Sequence, residues 1–176
     1  MPNLFSEYPT LKSRNRIVMA PMTRCSCTDD GLPTPELAKY YINRAKNGVG
    51  LIIIEASSIN AYDALGYLNG SQFHSSDHVN AWKPIVKKIH EHGAKVWIQL
   101  YHAGRLTVSS IAKRSALAPS AIAPFNTESF WRPKVDGKIV HFQTNTEFEK
   151  PEELTHEQIY SIIEQFNYEI LRYSYV

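Results

Sequence analysis

Three short stretches place groups capable of chemistry just beyond apolar runs: PMTRC at 21–25, EASS at 55–58 and QLYHAGR at 99–105. They offer a hydroxyl (Thr23), a small side chain (Ala56), a carboxamide (Gln99), a phenol (Tyr101) and backbone amides. The set is poor in acids and bases, with Glu55 its one carboxylate. It suits recognition of a planar heterocycle with amide-like edges. Gln99 carries a donor and an acceptor side by side, so it can pair bidentately with a C=O/N–H edge. Ala56 would let such a ring lie close to the backbone. Gln99 could equally be spent on buried polar groups of the scaffold, and spacing alone does not choose. No G-x-G-x-x-G or Walker loop is present to cradle a phosphate. An aldol-type or sugar-phosphate chemistry would want a lysine or paired carboxylates at these points, and Glu55 stands alone. No metal site is expected: a closed zinc site wants four ligands, the histidines are scattered, and Cys25 and Cys27 read as ordinary thiols.

The elements that must position these groups alternate strand and helix. Residues 16–19 (RIVM) predict a short strand ending before Pro21. Thr34-Pro35 then predicts an N-cap with proline in the first turn, and Leu37, Tyr40, Tyr41 and Ala45 share one helical face. Residues 50–57 (GLIIIEAS) predict a second strand, apolar on both faces. After a long loop containing the Gly66-Tyr67 pair, Val79, Trp82, Val86 and Ile89 recur at helical spacing, with Gly93 as the stop. Pro84 falls inside that pattern, so the helix is expected to start late or bend there. Residues 95–100 (KVWIQL) predict the third strand. Residues 106–150 form a long excursion whose VDGK turn at 135–138 predicts a hairpin with the run at 138–142. A final helix is announced by a capping box, Thr155 with Gln158, and an apolar face of Ile159, Ile162, Ile163, Phe166 and Ile170. Three strand–helix units in series imply a parallel sheet, and in such architectures ligands sit beyond the carboxyl ends of the strands.

The totals bound the rest. At 176 residues, 43% hydrophobic and 20% charged, the chain reads as one soluble globular domain. A net charge of +2 with no basic stripe argues against nucleic acid. The longest purely apolar stretch, 51–54, is far short of the roughly 20 residues of a membrane span. The first residues lack the features of a secretory signal, and the two closely spaced cysteines fit a reducing, cytoplasmic compartment.

Read in order, these strand-end motifs resemble the N-terminal part of the Old Yellow Enzyme family, FMN-dependent and NAD(P)H-using ene-reductases built on a TIM barrel. The pieces that carry the resemblance are LKSRNRIVMAPMTR, GLPTPELAKYYINRA, GLIIIEASSIN, GYLNGSQFHS and VWIQLYHAGR, with LAPSAI and ELTHEQI further on. It runs from about Leu4 to about Phe166 and is closer to the branch with Thr in the first motif than to the branch with Cys there. The resemblance implies that Pro21, Met22 and Thr23 line the flavin, with the Thr23 hydroxyl near its O4/N5 edge. It implies that Ala56 and Gln99 meet the pyrimidine end, and that Tyr67 and Tyr101 border a pocket for an electrophilic alkene. Many relatives carry Trp where this chain has Tyr101, which leaves the pocket outline open. His102 and Arg105 match the family pattern, with loop packing as the favoured role. Hydride would pass from NAD(P)H to the flavin and on to the β-carbon of an α,β-unsaturated carbonyl.

A barrel of this kind needs eight strand–helix units, and the sequence predicts three. The expected fold is therefore α/β, an incomplete TIM (β/α)8 barrel with three N-terminal units, a long loop and a hairpin, in a single partial domain over 1–176. The family's His-x-x-His/Asn pair, its proton-donating tyrosine and its flavin-phosphate segments are not in the sequence, so no catalytic residue is assigned. The isolated chain is expected to hold FMN weakly or not at all, and to self-associate through its exposed half-barrel edge. The alternative is a non-catalytic half-barrel that folds only with itself or with a partner chain.

Overall fold

The computed structural model describes residues 3–125, 129–131, 134–135, 138–139, 142–144 and 148–173. Its centre is a parallel sheet. Strand β1 (Val18–Met19) and helix α1 (Pro35–Lys46) are followed by β2 (Leu51–Ser58), β3 (Ser71–Gln72), α2 (Ser76–Glu91) and β4 (Lys95–Tyr101). Strand β2 pairs in parallel with all three others. It pairs with β4 along most of its length, with β1 near its start (Val18 with Leu51) and with β3 near its end (Ser58 with Gln72). The β1–β2–β4 succession is the expected start of a (β/α) barrel. The two-residue strand β3 was hidden in what the sequence offers as loop.

Local signals explain the helices. The Thr34 hydroxyl accepts the Leu37 N–H at 3.3 Å, and Pro35 occupies the first turn, where its missing N–H costs nothing. Ser75 caps α2 in the same way, accepting the His78 N–H at 3.4 Å. Of the late start or bend expected from Pro84, the late start does not occur: α2 begins at Ser76 and runs through the proline. Pro84 and Asn80 both lie on the exposed side, so water can satisfy the Asn80 carbonyl that the ring leaves without a donor. The buried face meanwhile continues unbroken through Val79, Trp82, Ile85, Val86 and Ile89.

These helices cover one side of the sheet. Met19, Ile52, Ile54 and Val96 pack under Leu37 and Tyr41 of α1 and under Trp82 and Ile89 of α2, with the Tyr41 and Trp82 rings edge-on at 5.9 Å. Each such fully buried aliphatic side chain contributes about 1.5–3 kcal/mol. The other side of the sheet is open: Val18 is 51% exposed and Trp97 48%. In a closed barrel that side is the packed interior.

Strand β2 contains an irregularity that matters for the site. Ile54 pairs with Ile98, but Ser57 pairs with Leu100, so β2 carries one extra residue there. The bulge puts Glu55 on the same helix-covered side as Ile54, where Tyr41 reaches it.

Beyond β4 come the short helix α3 (Ser109–Ala112) and β5 (Leu117–Ala118). The predicted hairpin is present: β6 (Ser129–Trp131) pairs antiparallel with β9 (Phe142–Thr144), and β7 (Lys134–Val135) with β8 (Lys138–Ile139). Its turn residues, 136–137, lie outside the described residues. Strand β10 (Glu152–Glu153) then pairs in parallel with β5 and leads into α4 (His156–Tyr173). The α4 capping box forms as expected, Gln158 Oε1 accepting the Thr155 N–H at 2.8 Å and Thr155 Oγ1 accepting the Gln158 N–H at 3.2 Å. The apolar face of α4 is largely uncovered, Ile163 and Ile170 being 47% and 59% exposed.

Candidate functional site

The parallel register brings the carboxyl ends of β1, β2 and β4 to one edge of the sheet, and the residues read as chemical from the sequence sit there. The segment after β1 is held by several hydrogen bonds. The Arg24 N–H donates to Glu55 Oε1 (3.2 Å), Ser26 Oγ donates to the Arg24 carbonyl (3.1 Å), Thr34 Oγ1 donates to the Ser26 carbonyl (2.7 Å) and the Cys27 N–H donates to the Asn69 carbonyl (3.0 Å). Inside this frame Cys25 adopts a φ of 50°, a left-handed conformation that a side chain rarely takes unless its surroundings enforce it. Pro21 and Thr23 are half-buried and Met22 is exposed.

At the end of β2, Glu55 and Ser57 face the helix-covered side, so Ala56 between them faces the open side. Ser57 Oγ donates to the Glu55 carbonyl at 3.0 Å and lies 2.8 Å from Ser71 Oγ of β3. At the end of β4, Ile98 and Leu100 pack against the core, which leaves Gln99 between them on the open side and exposed. Neither the Thr23 hydroxyl nor the Gln99 carboxamide makes a hydrogen bond with any described residue. Gln99 is exposed and, among the described residues, has no hydrogen-bond partner on the scaffold.

Tyr67 and Tyr101 are also brought together, their rings 6.1 Å apart. The Tyr101 hydroxyl accepts the Gly66 N–H at 3.2 Å, and burial pushes its pKa up to about 12. A side chain at Gly66 would meet Ala103 Cβ at 3.1 Å, a tight contact that the neighbour would have to relieve by a small shift. His102 and Arg105 do pack loops. His102 Nδ1 accepts the Gly104 N–H (3.0 Å) and Nε2 lies 3.3 Å from Asp63 Oδ1, within ion-pair range though not aligned as a hydrogen bond. Arg105 donates to the Ile122 carbonyl and to Ser120 Oγ.

Electrostatics separate rim from interior. Burial raises the Glu55 carboxyl, opposed by the Arg24 N–H, the Tyr41 hydroxyl and the Arg24 charge. Burial also raises the Cys27 thiol, which keeps it protonated and unreactive. Among the described residues no cluster of three metal-ligating side chains occurs. Clefts elsewhere include one of about 610 Å³ beside Asp30, Tyr62, His74 and Arg114 and another of about 590 Å³ at the amino ends of the strands beside Tyr8, Arg14 and His90. Thr23, Ala56 and Gln99 line neither cleft. Sequence reasoning noted Glu55 but missed its place beneath the rim; the available signal was a lone acid within an apolar strand.

A parallel α/β half-barrel with uncommitted polar groups at its strand ends defines the class. The model of the NADH:flavin oxidoreductase / NADH oxidase family matches residues 9–168, and the chain belongs to that family. It is 32% identical over 156 residues to the 12-oxophytodienoate reductase 1 of Oryza sativa subsp. japonica, covering 89% of this chain and 37% of that one. It is similar to the solved structure of morphinone reductase in complex with tetrahydroNAD (TM-score 0.85, 29% identity, 99% of this chain and 47% of that one). It is also similar to an old yellow enzyme homologue from Zymomonas mobilis (TM-score 0.76, 30% identity, 94% and 43%). The Old Yellow Enzyme resemblance and the incomplete TIM barrel are thus borne out. The chain spans well under half the length of the curated relatives it matches.

Proposed function

We propose that this chain, as a single partial domain over 1–176, supplies the flavin-ring wall of an FMN-dependent NAD(P)H oxidoreductase of the ene-reductase type. The observation that supports this reading is the register that sets Thr23, Ala56 and Gln99 at one edge, with the Thr23 hydroxyl and the Gln99 amide without a hydrogen-bond partner among the described residues. A hydroxyl, an amide and a methyl-sized side chain fit the polar edge and flat face of an isoalloxazine. Thr23 would donate to the O4/N5 edge, where a donor stabilises the anionic reduced ring. Gln99 would pair with the pyrimidine edge, Ala56 would admit the ring close to the backbone, and Pro21 and Met22 would line it. When bound, FMN would supply hydride acceptance from NAD(P)H and hydride delivery to an electrophilic C=C bond. Tyr67 and Tyr101 would border the substrate. Tyr101, with its raised pKa and its oxygen engaged by Gly66, suits a wall better than a proton donor, so no proton-transfer step is assigned to this chain.

FMN held by the ring wall alone is expected to bind weakly and to be lost on gel filtration. The test is a titration following quenching of flavin fluorescence in the parent, Thr23→Ala and Gln99→Ala chains. Loss of one charge-free hydrogen bond should weaken binding about tenfold in each variant. Unchanged affinity in both would refute the assignment.

The exposure of Val18 and Trp97 supports a second reading, in which the chain is a non-catalytic half-barrel that pairs with a second copy of itself. No membrane partner is proposed; among the described residues no helix is long and apolar enough to cross a membrane. Nor is a nucleic-acid partner proposed, given the net charge of +2. The two reduced thiols fit a cytoplasmic setting.

A further inference from the structure

Glu55 is fully buried, yet it is not part of the rim. We propose that Glu55 is a positioning residue: clamped by Tyr41, its carboxylate fixes the Thr23–Arg24 peptide and thereby the hydroxyl presented at the rim. The proposal rests on the flavin reading of that rim for its functional consequence, and on geometry alone for the clamp.

Each carboxylate oxygen has one donor. Oε1 accepts the Arg24 N–H at 3.2 Å and Oε2 accepts the Tyr41 hydroxyl at 3.0 Å. The Tyr41 oxygen in turn accepts the N–H of Glu55 itself, also at 3.0 Å, which closes a ring between α1 and the bulge of β2. Tyr41 is fully buried too, so this support cannot swing away. Packing alone would be met more cheaply by leucine or methionine, because a buried carboxylate must overcome its desolvation. What those residues lack is an acceptor for an N–H arriving from another segment. That N–H belongs to the residue between Thr23 and the left-handed Cys25, where the chain needs an external hold. The bulge is what allows this: in a regular strand Glu55 would point to the open side and Ala56 beneath it.

The charged and titratable groups around Glu55 come from three elements. Arg24, on the segment after β1, lies with its guanidinium 5.1 Å from the Tyr40 ring of α1. Cys27 of the same segment, Tyr41 of α1 and Tyr101 of β4 also feel the Glu55 charge.

The test uses the full chain and two variants. Glu55→Gln keeps an acceptor for Arg24, whereas Glu55→Leu keeps the volume and removes the acceptor. Amide hydrogen exchange needs no flavin. Exchange at Arg24 should quicken at least about tenfold in Glu55→Leu, remain near the parent rate in Glu55→Gln, and leave the amides of α2 unchanged. In FMN titrations Glu55→Leu should weaken binding about as much as Thr23→Ala, and the double variant should lose little more, because one residue acts through the other. Unchanged Arg24 exchange in Glu55→Leu would overturn the clamp. Fully additive losses of affinity would overturn its action through Thr23. Failure of Glu55→Leu to fold while Glu55→Gln folds and protects Arg24 would support the clamp. If Glu55→Gln also loses protection at Arg24, the clamp is overturned. Absence of FMN binding by the parent would sink the flavin reading, with Arg24 exchange still deciding the clamp.

Discussion

Arg14 lies at the end of the sheet opposite the rim, and its removal should cost stability without touching function. Its Nη1 donates to the His92 carbonyl at 2.7 Å, and its Nη2 to the Ala45 and Val49 carbonyls at 2.5 and 2.9 Å. One guanidinium thus ties the C-terminus of α1 to that of α2 and to the entry of β2. A hydrogen bond to a charged donor contributes roughly 1.5–3 kcal/mol. The His92 bond is exposed and counts for little, which leaves two part-buried bonds. The guanidinium pays part of this back through Nε, which is buried with no partner in the described structure. Water admitted to the gap recovers some more. The expectation for Arg14→Met is a loss of about 2–3 kcal/mol. Arg14→Lys should restore less than half of that, because a single ammonium cannot reproduce the fork. Gln99→Ala, by contrast, removes an exposed and unbonded amide and should stay within about 0.5 kcal/mol of the parent. Urea denaturation followed by far-ultraviolet circular dichroism measures all three. If Arg14→Met is neutral, or if Gln99→Ala loses as much, the separation of a stabilising end from a functional end is wrong.

If the open side of the sheet is what self-association buries, Trp97→Ser should disrupt it. With 48% of Trp97 exposed, about 100 Å² of indole per chain is available to a partner, which at about 25 cal/mol/Å² is about 2.5 kcal/mol for each copy and about 5 kcal/mol for the pair, or a dimer weaker by roughly three orders of magnitude or more by sedimentation velocity. A parent chain that stays monomeric at about 100 μM would remove the basis for the estimate. The pH dependence of stability should carry two acids of opposite sign. Asp63 is held below its ordinary value first by His102, so its contribution is present above that value and lost as pH falls through the folded pKa. Glu55 is raised by burial, so the folded state binds the extra proton and stability falls as pH rises from the ordinary carboxylate value to the folded one. Urea midpoints against pH should therefore flatten on the acid side in Asp63→Asn and above the ordinary carboxylate range in Glu55→Gln.

The sequence shows most clearly what local chemistry specifies. Thr34-Pro35, the Thr155/Gln158 box and the period of Val79, Trp82, Val86 and Ile89 each fix an element through interactions within a few residues, and each is found in place. The order of strands, and so the strand-end edge on which Thr23, Ala56 and Gln99 lie, follows from the alternation of strand and helix. What was not legible depends on contacts between distant segments. How far Pro84 disturbs a helix depends partly on whether the carbonyl it leaves without a donor reaches water, and that depends on which face is covered. Strand β3 exists because Ser71 lies against Ser57, fourteen residues earlier. The bulge in β2 shows only when Ser57 is found opposite Leu100 rather than beside the partner a regular ladder would give it.

That bulge also explains why a site so poor in acids and bases contains a carboxylate at all. With one extra residue, the strand turns Glu55 down to α1 and Ala56 up to the open side, so a single irregularity places the support and clears the surface above it. A charge at the rim would compete with the neutral hydrogen bonding that Thr23 and Gln99 offer. Moved one layer below, the same charge organises the peptide that carries Thr23 and stays out of contact with anything bound above. The division is economical in physical terms. Among the described residues Thr23 and Gln99 have no side-chain hydrogen-bond partner, whereas each carboxylate oxygen of Glu55 accepts one.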